Sequence, residues 1–168
     1  MSEAISKLQE IYGGPEVRGL GSSVIEVPLD DESRFESTAK ERYRVFCGEI
    51  WERFGPENWL GQWAEVYRRP TATATETATA KDVVAAGGIE AELRGLEDHA
   101  ASMAGSLMLD NIDDADAAKE MLKRVFDDPA IRRLSIYRLG DGEAIFGVMI
   151  AALAGSPGRM TMLITMSD

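Results

Sequence analysis

The stretch IRRLSIYRLGDGEAIFGVMIAALAGSPGRMTMLITM, residues 131–166, decides the fold. Within it, Leu134-Ser135-Ile136-Tyr137-Arg138-Leu139 is rich in strand-favouring residues. It runs into Gly140-Asp141-Gly142, whose residues tolerate a positive φ, and the pair of features predicts a hairpin. Residues 144–154 then form an apolar run broken only by Gly147, as expected of a central strand covered on both faces. A buried helix is the alternative for this run, because Ala, Met and Leu favour helices and a continuous apolar segment has no period. The run is too short to span a membrane. Gly155-Ser156-Pro157-Gly158 breaks the chain. Beyond it Met160, Met162, Ile164 and Met166 alternate with Thr161, Leu163 and Thr165, the period of a half-buried strand. The stretch therefore predicts three antiparallel strands.

Composition narrows the partners. Against 18 Lys plus Arg stand 29 Asp plus Glu, a net charge of -11. A field of that sign repels phosphate backbones and anionic lipid, so nucleic acid and membranes are excluded as partners. Cys47 is the one cysteine, which rules out an intrachain disulfide, and the first residues, Met1-Ser2-Glu3-Ala4, lack the pattern of a signal peptide. Both point to the cytoplasm.

Upstream of the sheet the chain reads as helices. Ile5, Leu8, Ile11 and Tyr12 share a face before Gly13-Gly14-Pro15. Val24-Ile25-Glu26-Val27 looks like one short strand before Pro28. Phe35, Ala39, Tyr43, Phe46, Ile50 and Phe54 predict one long helix, opened by a capping box of Ser33 and Glu36. After Gly55-Pro56 a further helix places Trp59, Leu60, Trp63, Val66 and Tyr67 on one face. Residues 70–81, built around TATATETATA, carry no large apolar side chain and read as a linker or mobile loop within a single domain of residues 1–168. Ile89, Leu93, Leu96, Ala100, Met103 and Leu107 then keep a helical rhythm, with Ala101, Ala104 and Gly105 permitting close approach of another element. Ala118, Met121, Leu122, Val125 and Phe126 give the last helix its face, after an acidic first turn.

Little in the chain names a chemistry. His99 is the one histidine, and its neighbour Asp98 points to another side of a helix, so the two do not make a base and its orienter. Cys47 lies inside an apolar face and reads as a packed thiol. Asp110, Asp113, Asp114 and Asp116 lack the Gly and Glu that a calcium loop requires. Gly19-Leu20-Gly21 lacks the rest of a phosphate-binding loop, and no hydrolase or zinc-protease motif occurs. No cofactor or metal is expected, and catalysis is disfavoured though left open. Trp51, Trp59 and Trp63 lie within thirteen positions and form either core or an aromatic groove. Asp113, Asp114, Asp127, Asp128, Asp141 and Glu143 fall at element ends and turns, where they could present an acidic face to a basic protein partner.

Tyr137-Arg138-Leu139-Gly140, the apolar strand, Gly155-Ser156-Pro157-Gly158 and the last strand together resemble the tail of bacterial nuclease A inhibitors. The resemblance covers the last third of the chain and implies an acidic inhibitor; the first hundred residues match nothing, and no family is assigned.

The expectation is an α+β fold, a helix-rich N-terminal two-thirds followed by a C-terminal three-stranded antiparallel meander. The expected function is a small acidic cytoplasmic protein that binds another protein as a regulator, inhibitor or immunity factor. The alternative is a small-molecule-binding domain or enzyme with its site between the helices and the sheet; a homo-oligomer stays open. Limited proteolysis checks the linker reading: cleavage should fall first within residues 71–80, and protection there would contradict it.

Overall fold

In the computed structural model, residues 2–70 and 87–168 are described; the expected linker, apart from Pro70, lies outside them. In chain order the elements are α1 (Glu3–Tyr12), β1 (Gly21–Pro28), α2 (Phe35–Cys47), α3 (Glu49–Phe54), α4 (Pro56–Gly61), β2 (Ala64–Arg68), α5 (Gly88–Arg94), α6 (His99–Asp110), α7 (Ala115–Phe126), β3 (Ile131–Gly140), β4 (Phe146–Ala154) and β5 (Arg159–Ser167). The strands form one antiparallel sheet in the order β1-β5-β4-β3-β2.

The α+β class stands, but the three-stranded meander does not. The sheet has five strands, and the N-terminal part of the chain supplies both edges. A three-stranded sheet would leave β5 as an edge with a row of unpaired backbone groups, although its side chains are buried almost throughout. β1 removes that edge by pairing along its whole length, from Gly21 opposite Met166 to Pro28 opposite Arg159. Pro28 sits at the end of this outer strand, where it interrupts no ladder between neighbours. The helix expected to continue through Tyr67 stops at Gly61, and residues 64–68 become the other edge, β2. A bulge between Glu65 and Tyr67 lets Val66 and Tyr67, consecutive in sequence, both pack on the same core. That removes the alternation by which a strand is recognised and leaves apolar spacings that mimic a helix.

β4 is the middle strand, as its composition requires. Val148, Ile150 and Ala152 join a core with Leu8 of α1, Leu93 of α5, Leu109 of α6 and Leu122 and Phe126 of α7. Met149, Ala151 and Leu153 join a second core with Phe35, Tyr43 and Phe46 of α2, Trp51 of α3 and Trp59 of α4. The helices thus cover both faces of the sheet. Gly48, at φ 58°, ends α2, so the single long helix expected there is two. The β3–β4 loop is organised by Asp141, whose Oδ1 accepts from the amides of Glu143, Ala144 and Ile145. Among the described residues, no helix is long and apolar enough to cross a membrane.

Gly147 holds β4 and β5 at close approach. A Cβ at this position would collide with the carbonyl oxygen of Thr165 and the side chain of Met166. Gly147→Ala should therefore lower stability by about 2 kcal/mol or more. Urea denaturation checks this, and a midpoint equal to that of the native sequence would contradict the packing.

Candidate functional site

The candidate site is built on α6. Asp98 caps the helix by accepting from the amide of Ala101, and the same carboxylate holds Arg138 of β3, which ties the start of α6 to the sheet. Ala101, Ala104, Gly105, Met108 and Leu109 face inward. Three of these five are small, which lets α6 lie close on the sheet and on α5; a Cβ on Gly105 would already touch Leu93. The large residues Met103 and Leu107 consequently point outward, 43% and 39% exposed. The helical rhythm of the sequence predicts both on the core stripe with Leu93 and Leu96, and the structure turns them outward. The chain leaves the helix between Arg94 and His99, so the rhythm that runs through residues 89–107 does not keep its phase. The signal that could have found this is the second stripe, Ala101, Ala104, Gly105 and Met108, which the small residues disguise.

Around Met103 and Leu107 three hollows adjoin one another. One of about 220 Å³ lies between α6 and the β3–β4 loop, with Gln62, Met103, Arg138 and Phe146 in its wall. One of about 470 Å³ lies over Met103, Leu107 and Asp110. One of about 320 Å³ lies at the sheet end, against Tyr12, Leu107, Ile112, Phe146 and Met166. Met103, Leu107 and Phe146 are each shared by two of them, so the three make one strip along the helix.

The charges bordering the strip are not balanced. Arg94 grips Asp110 through two bonds of 3.0 and 2.9 Å, and Lys119 lies 3.3 Å from the same carboxylate. Arg94, then Lys119, holds the Asp110 carboxyl down at about 2. Arg138 is held by Asp98 and by the carbonyl of Gln62. Burial raises the Asp98 carboxyl, but the Ala101 amide and Arg138 outweigh it and keep it below its usual range. Each of these cations is thus engaged, while exposed Glu143 and Asp113 have no ion-pair partner among the described residues.

The six acidic residues expected to form a face do not share one place. Glu143 lines the strip, and Asp113 and Asp114 lie in the turn that follows its lining residue Ile112; Asp114 caps α7 through the amide of Ala117, and Asp141 serves its own loop. Asp128 stands just before β3, whose ten residues separate it by about 30 Å from the hairpin at the other end. Asp127 is buried. Its carboxylate accepts from Arg69 Nη2 and the Ile89 amide, both at 2.9 Å. Arg69, 2% exposed, also grips Glu92 and donates to the carbonyl of Phe126. Burial raises the Asp127 carboxyl, only partly opposed by the Ile89 amide and Arg69. Nothing local in the sequence signals this cluster, whose members are 23 and 58 positions apart.

The tryptophans come together, but mainly inside. Trp59 is fully buried and donates to the carbonyl of Ile50, and Trp51 meets Tyr43 edge to face. Trp63 is half-buried, stacked between Tyr43 and Tyr137, with its Nε1 donating to Glu36. Below it, burial pushes the Tyr137 hydroxyl up to about 12. Among the described residues, the buried Tyr137 hydroxyl, Ser135 Oγ and Arg133 Nε make no hydrogen bond that meets normal geometry.

His99 is exposed at the first turn of α6, and Cys47 is buried, its thiol pushed up to about 12 by that burial. Among the described residues no group of three His, Cys, Asp or Glu could hold a metal ion. A further hollow of about 290 Å³ opens on the sheet between α1 and α7, lined by Ile5, Glu26, Arg124, Val125, Ala152 and Ala154. Compared with protein-family models, curated proteins and solved structures, the chain finds no match.

The Arg69 cluster is structural, tying β2 to α5 and α7. Arg69→Met should cost about 3–5 kcal/mol, because it leaves Glu92 and Asp127 buried without a counter-charge. Adding Glu92→Gln should recover part of that loss. Denaturant titration of the two variants checks both, and a loss well under 1 kcal/mol for Arg69→Met would contradict the assignment.

Proposed function

We propose that the chain is a non-catalytic, cytoplasmic protein-binding protein of the regulatory, inhibitor or immunity kind, and that the strip along α6 is its contact surface. The observation that carries this reading is the inverted helix: α6 buries its small residues and presents Met103 and Leu107 to the outside, beside a half-buried Phe146. Single exposed apolar residues are ordinary, but large ones one turn apart that join three hollows into one strip mark a contact surface. The surrounding charge supports a partner that is basic where it meets the chain. The bordering cations are engaged, Glu143 and Asp113 have no ion-pair partner among the described residues, and the chain carries a net charge of -11. The hollow between α1 and α7 supports the second reading, a small-molecule site between helices and sheet.

Photo-cross-linking in the source cell separates the two. A cross-linking residue at position 107 or 143 should give the same discrete protein adduct, while one at position 41, exposed on α2, gives none. Replacing Glu143 with Gln and Asp113 with Asn should slow adduct formation about threefold, and added salt should slow it further. Adducts from all three positions alike, or from none, would contradict the proposal. A metabolite that raises the melting temperature and is lost on Ala152→Leu would favour the second reading instead.

A further inference from the structure

Resting on the protein-binding reading, we infer that the occupant of the α6 strip is an amphipathic helix of the partner, with large apolar side chains one turn apart and lysine or arginine along its flanks. Backbone chemistry decides between a helix and an extended segment. The edges of the sheet are β1 and β2; neither lines the hollow over Met103 and Leu107 or the one beside the β3–β4 loop, and β1 reaches only the hollow at the sheet end, through Gly21 and Ser22. The outward amide and carbonyl of Val24 on β1 are already bonded, to Gly13 and Gln9. The amides and carbonyls of α6 are engaged within the helix. An extended peptide laid along α6 would therefore find no ladder over Met103 or beside the β3–β4 loop and would lose the hydration of its own polar groups there, whereas a helix satisfies them internally.

Shape and charge agree with that choice. Met103 and Leu107 stand one turn apart, about 6 Å along the axis, a ridge that fits between apolar residues spaced likewise on another helix. The twelve residues of α6 span about 18 Å, so about three turns of a partner cover the strip. Glu143 lines the strip and Asp113 directly follows its lining residue Ile112, both exposed and without an ion-pair partner among the described residues. A second copy of this chain would bring the same carboxylates to the contact and be repelled.

The test uses the full chain and two synthetic peptides of identical leucine and lysine content, one with leucine at positions i, i+3, i+4 and i+7 and one scrambled so that no face forms. The patterned peptide should bind at least about tenfold more tightly. It should shift the amide resonances of residues 100–111, 145 and 146, and Leu107→Asp should remove its advantage. Met103→Ser, a milder change at the same surface, should remove part of the advantage and serves if Leu107→Asp does not fold. Equal binding of the two peptides would overturn the inference. So would shifts confined to the hollow between α1 and α7, or self-association of the chain through Leu107. A discrete adduct from position 107 combined with indifference to the peptide pattern would leave the protein-binding reading standing and the helical occupant refuted. Absence of any adduct would refute the reading itself.

Discussion

A strand with no polar side chain on either face must be covered on both, and β4 imposes that demand on the rest of the chain. Its pleat sends Val148, Ile150 and Ala152 one way and Met149, Ala151 and Leu153 the other, so two layers of helix are required. The two layers solve the problem differently. On one face Met149, Met160, Met162 and Met166 lie among the rings of Phe35, Tyr43, Phe46, Trp51 and Trp59, where flexible thioethers fill the gaps between rigid aromatics. On the other the sheet offers shorter side chains, and α6 comes close by setting Ala101, Ala104 and Gly105 against it. The exposed strip on α6 is the geometric consequence of that close approach.

The same demand explains what the sequence revealed. Residues 144–154 were legible as a central strand because no period is needed to recognise a continuous apolar run between turn residues. The pairing of β3, β4 and β5 followed from two short connections. β1 was visible as Val24-Ile25-Glu26-Val27 but not as a member of this sheet, since a pairing across more than 130 positions leaves no local trace. β2 was illegible because its bulge puts Val66 and Tyr67 on one core, and five residues are too few to show any period once a bulge intervenes. The strip on α6 was misread for a related reason: the small stripe is weakly apolar, the large stripe strongly so, and hydrophobicity alone assigns the wrong one to the core.

Acidity was legible as composition and only partly as place. Several carboxylates that looked available are occupied: Asp114 and Asp128 cap backbone amides, Asp141 shapes its loop, and Asp127 is locked under Arg69. What remains for a partner is less than the net charge suggests and is more localised. On the proposed reading, the apolar centre of Met103, Leu107 and Phe146 would supply affinity and its acidic margins orientation.

All of this depends on a five-stranded sheet in which β4 is central and β1 closes β5. The most direct measurement is a cross-strand proton contact. The amide and carbonyl of Val24 both point away from β5, to Gly13 and Gln9, so Val24 and Leu163 face each other as a pair without mutual hydrogen bonds. Their α-carbons should then stand about 4.5 Å apart. The account predicts a strong nuclear Overhauser contact between the α-protons of Val24 and Leu163. A sheet that showed the β3–β4 and β4–β5 contacts but lacked this one would leave β5 as an open edge, and the account would be contradicted.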